Sequence, residues 1–347
     1  MKSIQLLIPL ALLLFALQAQ ATRTFGLGPG KLLQLLDEQE AADYIIQDRY
    51  EDLFEAIRPI DMAVQMKQPL PGNVDRANLL LQYKMFLQSE ALNFTVKEEN
   101  LVIKTMREAF SLCQKLNADL FPDTLRLIKI KTNHYGPSVY YTREADIMIP
   151  EDVLAAFNPR EFLRVMLHEL FHVYSRLNPD QQAALYQLIG FEPVTELIFP
   201  EMLDRRILLN PDGVDMRWKI DLQVDASTQL TAVPIIVSNA LNYLPSKPLF
   251  FHYLQFNLYE VKEVRTGVYE VIADENGFST LPPTIFNAYF QKIQDNTQYI
   301  IHPDEIMADN FVLAVLEEDY PKETASLSAG GKALLKQIKQ QLRPAGH

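Results

Sequence analysis

Residues 161–176 constrain the fold more than any other stretch, because an almost wholly apolar helical pattern there surrounds a few polar residues. Asn158 is a favourable N-cap, Pro159 suits the first turn, and Glu161 completes a capping-box-like arrangement. Apolar residues then cover nearly the whole circumference of the predicted helix: Phe162, Leu163, Val165, Met166, Leu167, Leu170, Phe171, Val173 and Tyr174. A helix that is apolar on all sides is expected to be buried.

The polar residues in the middle of this helix are His168, Glu169 and His172, and they match the motif H-E-x-x-H. With about 3.6 residues per turn, the two histidines project from one face and can share a metal ion. Glu169 can act beside them as a general base toward a water molecule. The alternative is a buried helix with two hydrogen-bonded core histidines. We favour the metal site, because polar groups are costly to bury without partners.

The N-terminus predicts export. Lys2 supplies a positive charge, residues 6–17 form an apolar run, and Ala19-Gln20-Ala21 is a cleavage site before Thr22. The run is shorter than the roughly 20 residues that span a bilayer, which disfavours an uncleaved anchor. We therefore expect a signal peptide over residues 1–21 and an exported protein, periplasmic or secreted, with no stable membrane insertion after cleavage.

Charge and cysteine content exclude several classes of protein. The net charge of −12 argues against nucleic-acid and anionic membrane partners. Cys113 is the only cysteine, so no internal disulfide can form. It lies on the apolar side of a helical pattern and is expected to be a small buried hydrophobe.

The order of patterns along the chain predicts an α+β fold. Residues 22–120 are predicted to form a helical N-terminal region, with Leu32, Leu33, Leu35 and Leu36 at helical spacing. Two strand patterns precede the motif helix, so residues 121–200 are predicted to contain a small sheet and this helix. Residues 201–282 are predicted to be a β-rich insertion and residues 283–347 a helical C-terminal region. The strand candidates are residues 125–132, 140–150, 215–224, 230–237, 250–264 and 268–272.

A catalytic site of this kind usually has three protein ligands. The extended motif H-E-x-x-H-x-x-G-x-x-H is not present, because Ser175 stands in place of the glycine and Asn178 in place of the third histidine. Glu192, 20 residues after His172, is one candidate for the third ligand. It lies at a helix break before Pro193, which makes its setting unfavourable.

The second candidate is Glu305, in a segment that reads Glu305-Ile-Met-Ala-Asp309 and follows Pro303, a favourable helix start. We favour Glu305 over Glu192 on this local context. Together with H-E-x-x-H, the E-x-x-A-D segment resembles the gluzincin superfamily of zinc metallopeptidases. In that superfamily a downstream helix supplies a glutamate ligand, and an aspartate four residues later hydrogen-bonds a ligand histidine.

The resemblance covers the motif helix, the strand before it and the Glu305 helix, without indicating a particular peptidase family. It implies a zincin-like catalytic core that binds one Zn²⁺ per chain and hydrolyses peptide or protein substrates. The implied roles are metal ligation by His168, His172 and Glu305, general base for Glu169, and orientation of His168 by Asp309.

Gluzincins often add a tyrosine or histidine that stabilises the oxyanion. Tyr299, His302 and His252 are candidates for this role, and His302 is favoured because it precedes the predicted helix start. A sheet beside the motif helix also suits backbone pairing with an extended peptide, although a strand with no substrate role is equally compatible. Two alternative functions are a cell-wall amide or peptide hydrolase and a non-catalytic envelope binding protein on the same scaffold. The intact Glu169 argues against the second.

Overall fold

The structure, a computed structural model, describes residues 21–344. The predicted signal peptide lies outside these described residues, except for Ala21. Within them the chain combines two β-sheets with helices packed around them, which confirms the α+β class.

The first sheet, called the core sheet here, contains six strands in the order β1-β2-β4-β6-β5, with β3 also pairing with β4. Strands β2, β4 and β6 are parallel, whereas β1 and β5 are antiparallel to their neighbours. Strand β5 therefore forms an antiparallel edge. The bounds are β1 Arg23–Gly28, β2 Lys31–Leu35, β3 Ala91–Leu92, β4 Thr124–Ile130, β5 Tyr141–Arg143 and β6 Asp146–Pro150.

The second sheet also has six strands, in the order β7-β9-β10-β11-β12-β8. Its long central strands form antiparallel pairs between β9, β10, β11 and β12. These four strands lie within residues 201–282, where the sequence predicts strands. The bounds are β7 Phe191–Pro193, β8 Glu196–Ile198, β9 Trp218–Gln223, β10 Gln229–Ser238, β11 Leu254–Arg265 and β12 Val268–Val271.

The helices fall in three groups along the chain. Before β4 lie α1 Glu38–Tyr44, α2 Leu53–Ala56, α3 Pro59–Met66, α4 Arg76–Gln88 and α5 Val96–Leu116. After β6 lie α6 Glu151–Ala155, α7 Pro159–Leu177, α8 Pro179–Leu188 and α9 Glu201–Asp204. The C-terminal group is α10 Ile285–Ile293, α11 Pro303–Leu316 and α12 Ala329–Leu342. Three short 3₁₀ turns occur among the described residues, at Ala118–Leu120, Phe250–His252 and Pro321–Glu323.

The core sheet is covered on both faces, which explains why its central strands are almost entirely buried. On one face, Leu125 and Leu127 of β4 join an apolar cluster with α5, α7, α11 and α12. On the other face, Ile128 and Ile130 join a cluster formed with the early helices and the second sheet. Cys113 is fully buried in the first cluster, as predicted, and burial raises the pKa of its thiol.

Helix α7 carries the H-E-x-x-H motif between the core sheet and α11. Asn158 caps it as predicted, because its side-chain oxygen accepts hydrogen bonds from the backbone N–H groups of Arg160 and Glu161. Phe171 of α7 and Phe311 of α11 are both fully buried, with ring centroids 5.5 Å apart. This packing sets the distance between the two helices that carry the candidate ligands.

Two boundary predictions are corrected by the structure. Leu32, Leu33 and Leu35 belong to strand β2 rather than to a helix, because the short segment pairs with β1 and β4 and tertiary pairing outweighs local spacing. The second sheet does not begin at residue 201, because β7 and β8 belong to it. Glu192 therefore lies in a strand, where it is exposed and pairs with Lys219. Among residues 21–344, no helix is long and apolar enough to cross a membrane.

Replacing Phe311 with alanine tests the packing between α7 and α11. The void left between the two helices should lower the free energy of unfolding by about 3–5 kcal/mol. The measurement is urea unfolding followed by circular dichroism. Leu81→Ala on α4 is the control, because Leu81 is 59% exposed and its truncation should change stability by less than about 0.5 kcal/mol. Equal losses in the two variants would contradict the packing described here.

Candidate metal centre

Two imidazole nitrogens and one carboxylate oxygen converge where α7 meets α11. The Nε2 atoms of His168 and His172 lie 3.0 and 3.4 Å from the same oxygen, Oε2 of Glu305. One potential ligand atom from each residue lies within 4.8 Å of the others. The structure thus brings together the three residues predicted as ligands, although Glu305 is 133 positions after His172 in the sequence.

A carboxylate holds the opposite nitrogen of each imidazole. His168 Nδ1 lies 3.0 Å from Asp309 Oδ1, and His172 Nδ1 lies 2.6 Å from Asp304 Oδ2. Each contact orients its ring so that Nε2 faces Glu305, which is how metal-binding histidines are commonly held. The contact to Asp309 agrees with its predicted role, whereas Asp304 was missed by the sequence analysis. Its position between Pro303 and Glu305 at a helix start was the available signal.

Further donors fix these carboxylates. Asp304 accepts hydrogen bonds from Ser175 Oγ, at 2.6 Å, and from the Tyr186 hydroxyl. Asp309 accepts one from Thr297. Asp304 and Ser175 are buried, so the part of the network around Asp304 lies inside the protein. Its polar groups therefore satisfy each other without solvent, as buried networks require.

Glu305 is 1% exposed, and its second oxygen, Oε1, accepts a hydrogen bond of 2.7 Å from Asn210 Nδ2. Burial alone would raise the pKa of this carboxyl, but the adjoining His172 and His168 lower it below its ordinary value. Glu305 is therefore an anion facing two imidazoles, which is the charge state that a ligand needs.

Two buried polar atoms at the centre have no hydrogen-bond partner among the described residues: His172 Nε2 and Glu169 Oε2. His172 is 1% exposed and Glu169 is 5% exposed, so leaving these atoms unpaired is costly. A cation at the point of convergence would satisfy the nitrogen directly. Two imidazoles and one carboxylate are a donor set that suits zinc and other divalent transition metals. The residues therefore fit a metal ion.

The centre opens into a cavity of about 370 Å³. Tyr299 lies on one side, with its ring stacked near His168 at a centroid distance of 6.0 Å and an interplanar angle of 19°. Tyr299 is 43% exposed as a whole, but desolvation and the nearby charge of Glu305 raise the pKa of its phenol above the ordinary value, so the hydroxyl stays a proton donor. The lining residues are Ser138, Val139, Tyr140, Arg164, Val165, His168, Glu169, Asp212, Phe251, Tyr299, Glu305, Asp309 and Val312.

The β-rich insertion contributes a residue that the sequence analysis did not assign to the site. Asp212 is 8% exposed and lines the cavity. One of its oxygens lies within 4.8 Å of potential ligand atoms of both Glu169 and His172. Residues 210–213 can be identified in the sequence as a turn, but no local pattern indicates that this turn reaches the motif helix.

Three other predicted candidates lie elsewhere. His302 is the N-cap of α11: its Nδ1 accepts from the Asp304 backbone N–H and its Nε2 lies 3.0 Å from the Asp215 carbonyl oxygen. Both ring nitrogens of His302 thus form hydrogen bonds with the backbone, and His302 is not among the residues that line the cavity. The prediction that His302 stabilises the oxyanion is therefore wrong. His252 is exposed on a 3₁₀ turn, and Glu192 pairs with Lys219 on the second sheet. Neither lines the cavity.

No protein-family model, no curated protein and no solved structure matches this chain.

Removing any one of the three converging side chains should release the metal ion. Glu305→Ala and His172→Ala each delete one potential ligand, so both variants should lose metal that the unaltered protein retains at about one ion per chain. The measurement is metal content by mass spectrometry after dialysis against a weak chelator. Glu192→Ala is the matched control, because this exposed glutamate should have no effect. Metal lost from Glu192→Ala but kept by Glu305→Ala would reverse the assignment of the third ligand.

Metal affinity should depend strongly on pH. Burial lowers the pKa of His168, but hydrogen bonds to Asp309 and Glu305 outweigh this and raise it to about 10. A metal ion needs the neutral imidazole, so it competes with a proton whenever the pH lies below that value. Affinity should therefore increase as pH rises, by about tenfold per pH unit for each proton released. Competition with a chelating dye between about pH 6 and 9 measures this, and a flat profile would contradict it.

Proposed function

We propose that this protein is a zinc-dependent metallopeptidase of the gluzincin type. The single observation that carries the proposal is the convergence of the His168 and His172 Nε2 atoms on Glu305 Oε2, with an aspartate behind each imidazole. It is supported by the cavity beside this centre and by the unpartnered Glu169 carboxylate oxygen that faces the same region.

His168, His172 and Glu305 would hold the zinc ion. When bound, zinc supplies a Lewis acid that polarises a carbonyl group and makes a water molecule more acidic. Glu169 would accept the proton of the attacking water and pass it to the departing amine nitrogen. Burial, and then the nearby Asp212 charge, raise the pKa of Glu169 to about 8, and a bound dication would lower it again toward the ionised form that a general base needs.

Tyr299 is the best-placed group for stabilising an oxyanion. It lines the cavity beside His168, and its raised pKa keeps the hydroxyl protonated. A preorganised donor of this kind contributes most where charge develops in the transition state. Tyr299 thus takes the role that the sequence analysis favoured for His302.

A peptide is the substrate class that suits the cavity wall. The wall includes residues 138–140, which lead directly into β5, the antiparallel edge of the core sheet. An extended peptide can pair with such an edge through backbone hydrogen bonds. The predicted signal peptide would place this activity outside the cytoplasm, in the periplasm or the medium.

Glu169→Gln separates metal binding from catalysis. The amide keeps the shape of the side chain and leaves all three ligands, so metal content should be unchanged. Peptide hydrolysis should fall by about 100-fold or more, because the proton acceptor is gone. The measurement is hydrolysis of a mixed peptide library followed by mass spectrometry, with Glu192→Gln as the charge-matched control on the surface. A Glu169→Gln variant that retains full activity would disprove the proposed role.

A further inference from the structure

The turn at residues 210–213 places Asp212 in the cavity lining and is held there from three sides. Asn210 Nδ2 donates to Glu305 on α11. Asp212 Oδ1 accepts from Thr142 on β5 twice, from the backbone N–H at 2.6 Å and from Oγ1 at 2.7 Å. Gly213 packs so closely on His302 that a Cβ atom there would lie 2.2 Å from the ring. The turn is therefore a fixed wall.

Arg176, one helical turn after His172, also binds the turn at residues 210–213. Its guanidinium donates to Thr142 Oγ1 at 3.0 Å and to the backbone oxygen of Asp212 at 3.4 Å. It also pairs with Glu51, so the buried arginine charge is compensated. The edge strand, the turn and the motif helix are thus joined by one buried guanidinium.

The wall limits where an extended peptide can lie. Strand β5 pairs with β6 on one side, and on its free side the Thr142 N–H is already taken by Asp212. Ser138 lies in a turn with a positive φ, so an extended peptide has only residues 139–140 to pair with before β5, and it cannot continue past Thr142. In the opposite direction, a second cavity of about 320 Å³ shares Ser138, Tyr140 and Val165 with the first. The groove is closed at the Asp212 end and continues at the other.

The charge at the closed end favours a cation. Four carboxylates line the cavity: Glu169, Asp212, Glu305 and Asp309. A bound dication would balance two of these four charges, which leaves Glu169 and Asp212. Arg164, the cationic side chain in the lining, is paired with Glu323. The negative charge of Asp212 therefore has no cationic partner in the cavity lining. Asp212 is more than nine-tenths buried, and its Oδ2 forms no hydrogen bond with a described residue.

The distance between Asp212 and Glu169 restricts which cationic group of a substrate could bind to Asp212. A carboxylate oxygen of Asp212 lies within 4.8 Å of Glu169, so a group bound to Asp212 is close to the bond that is hydrolysed. In a peptide, the terminal nitrogen and the carbonyl carbon of the first residue are separated by two bonds of about 1.5 Å each. A C-terminal carboxylate at the same place would be repelled by Asp212.

We propose that Asp212 binds the α-ammonium group of the substrate, so that the enzyme removes the first residue of peptides. This inference rests on the proposed peptidase function and names its substrate class. In the reaction, the hydroxyl of water joins the carbonyl carbon of residue one, and the C–N bond to residue two breaks. The proton accepted by Glu169 goes to the departing nitrogen. The products are a free amino acid and a peptide with a new ammonium group.

The first test compares a peptide that has a free N-terminus with one that does not. Val139, Val312 and Phe251 make part of the lining apolar, so leucine is a suitable first residue. The zinc-loaded protein should release leucine from Leu-Ala-Ala-Ala, and kcat/KM for the N-acetyl peptide should be about 100-fold lower, because acetylation leaves Asp212 unpaired. This comparison needs no variant, so it does not depend on the folding of a mutant.

The second test removes the charge of Asp212. Asp212→Asn keeps an acceptor for Thr142 and should reduce the preference for the unblocked peptide from about 100-fold to less than about 5-fold. Asp215→Asn is the matched control, because Asp215 lies just beyond the turn and its carboxylate pairs with Arg217. Binding gives a readout without catalysis: calorimetry on Glu169→Gln should show about tenfold or more tighter binding of the unblocked peptide.

The outcomes separate the two proposals. Cleavage of internal bonds, with equal rates for free and acetylated peptides, would overturn the role of Asp212 and leave the peptidase function standing. An Asp212→Asn variant that loses its metal would also overturn it, since Asp212 would then be a ligand. If the zinc-loaded protein hydrolyses no peptide at all, the proposed function fails and this inference fails with it.

Discussion

The charged contact between α7 and α11 is the interaction on which the rest of the site depends. Glu305 is almost completely buried, and burying a carboxylate is tolerable only when positive or hydrogen-bonding groups surround it. Here His168, His172 and Asn210 provide them, from α7 and from the β-rich insertion. Separating these groups would leave a buried carboxylate without partners. This cost favours one arrangement of α7, α11 and the segment that contains Asn210.

The aspartates behind the imidazoles make this arrangement rigid. Asp304 lies next to Glu305 on α11, so one helix start supplies a candidate ligand and the carboxylate that orients the opposite histidine. Asp309, one helical turn later, orients the other. Because both rings are held at Nδ1, their Nε2 atoms face one point without needing a large rearrangement. Such preorganisation would suit the proposed metal site.

The insertion is more than a separate module beside the core. Asn210 and Asp212 come from its start, and Phe251 comes from its middle, yet all three contact or line the centre. Arg176 joins its turn to the edge strand and to the motif helix. In the proposed peptidase, the core would thus carry out the chemistry while the insertion would decide which end of a substrate can enter.

The sequence by itself determined the parts of the site that follow from helical geometry. The spacing of His168 and His172, and of Glu305 and Asp309, places each pair on one helix face. The resemblance to gluzincins, rather than this spacing, implied the contacts of His168 with Glu305 and Asp309 that the structure shows. Tertiary structure alone decided the rest. Asp212 reaches the motif helix through a turn, His302 is occupied in capping α11, and Lys31–Leu35 forms a strand. Each depends on contacts between residues far apart in the chain, which periodicity and local propensity do not encode.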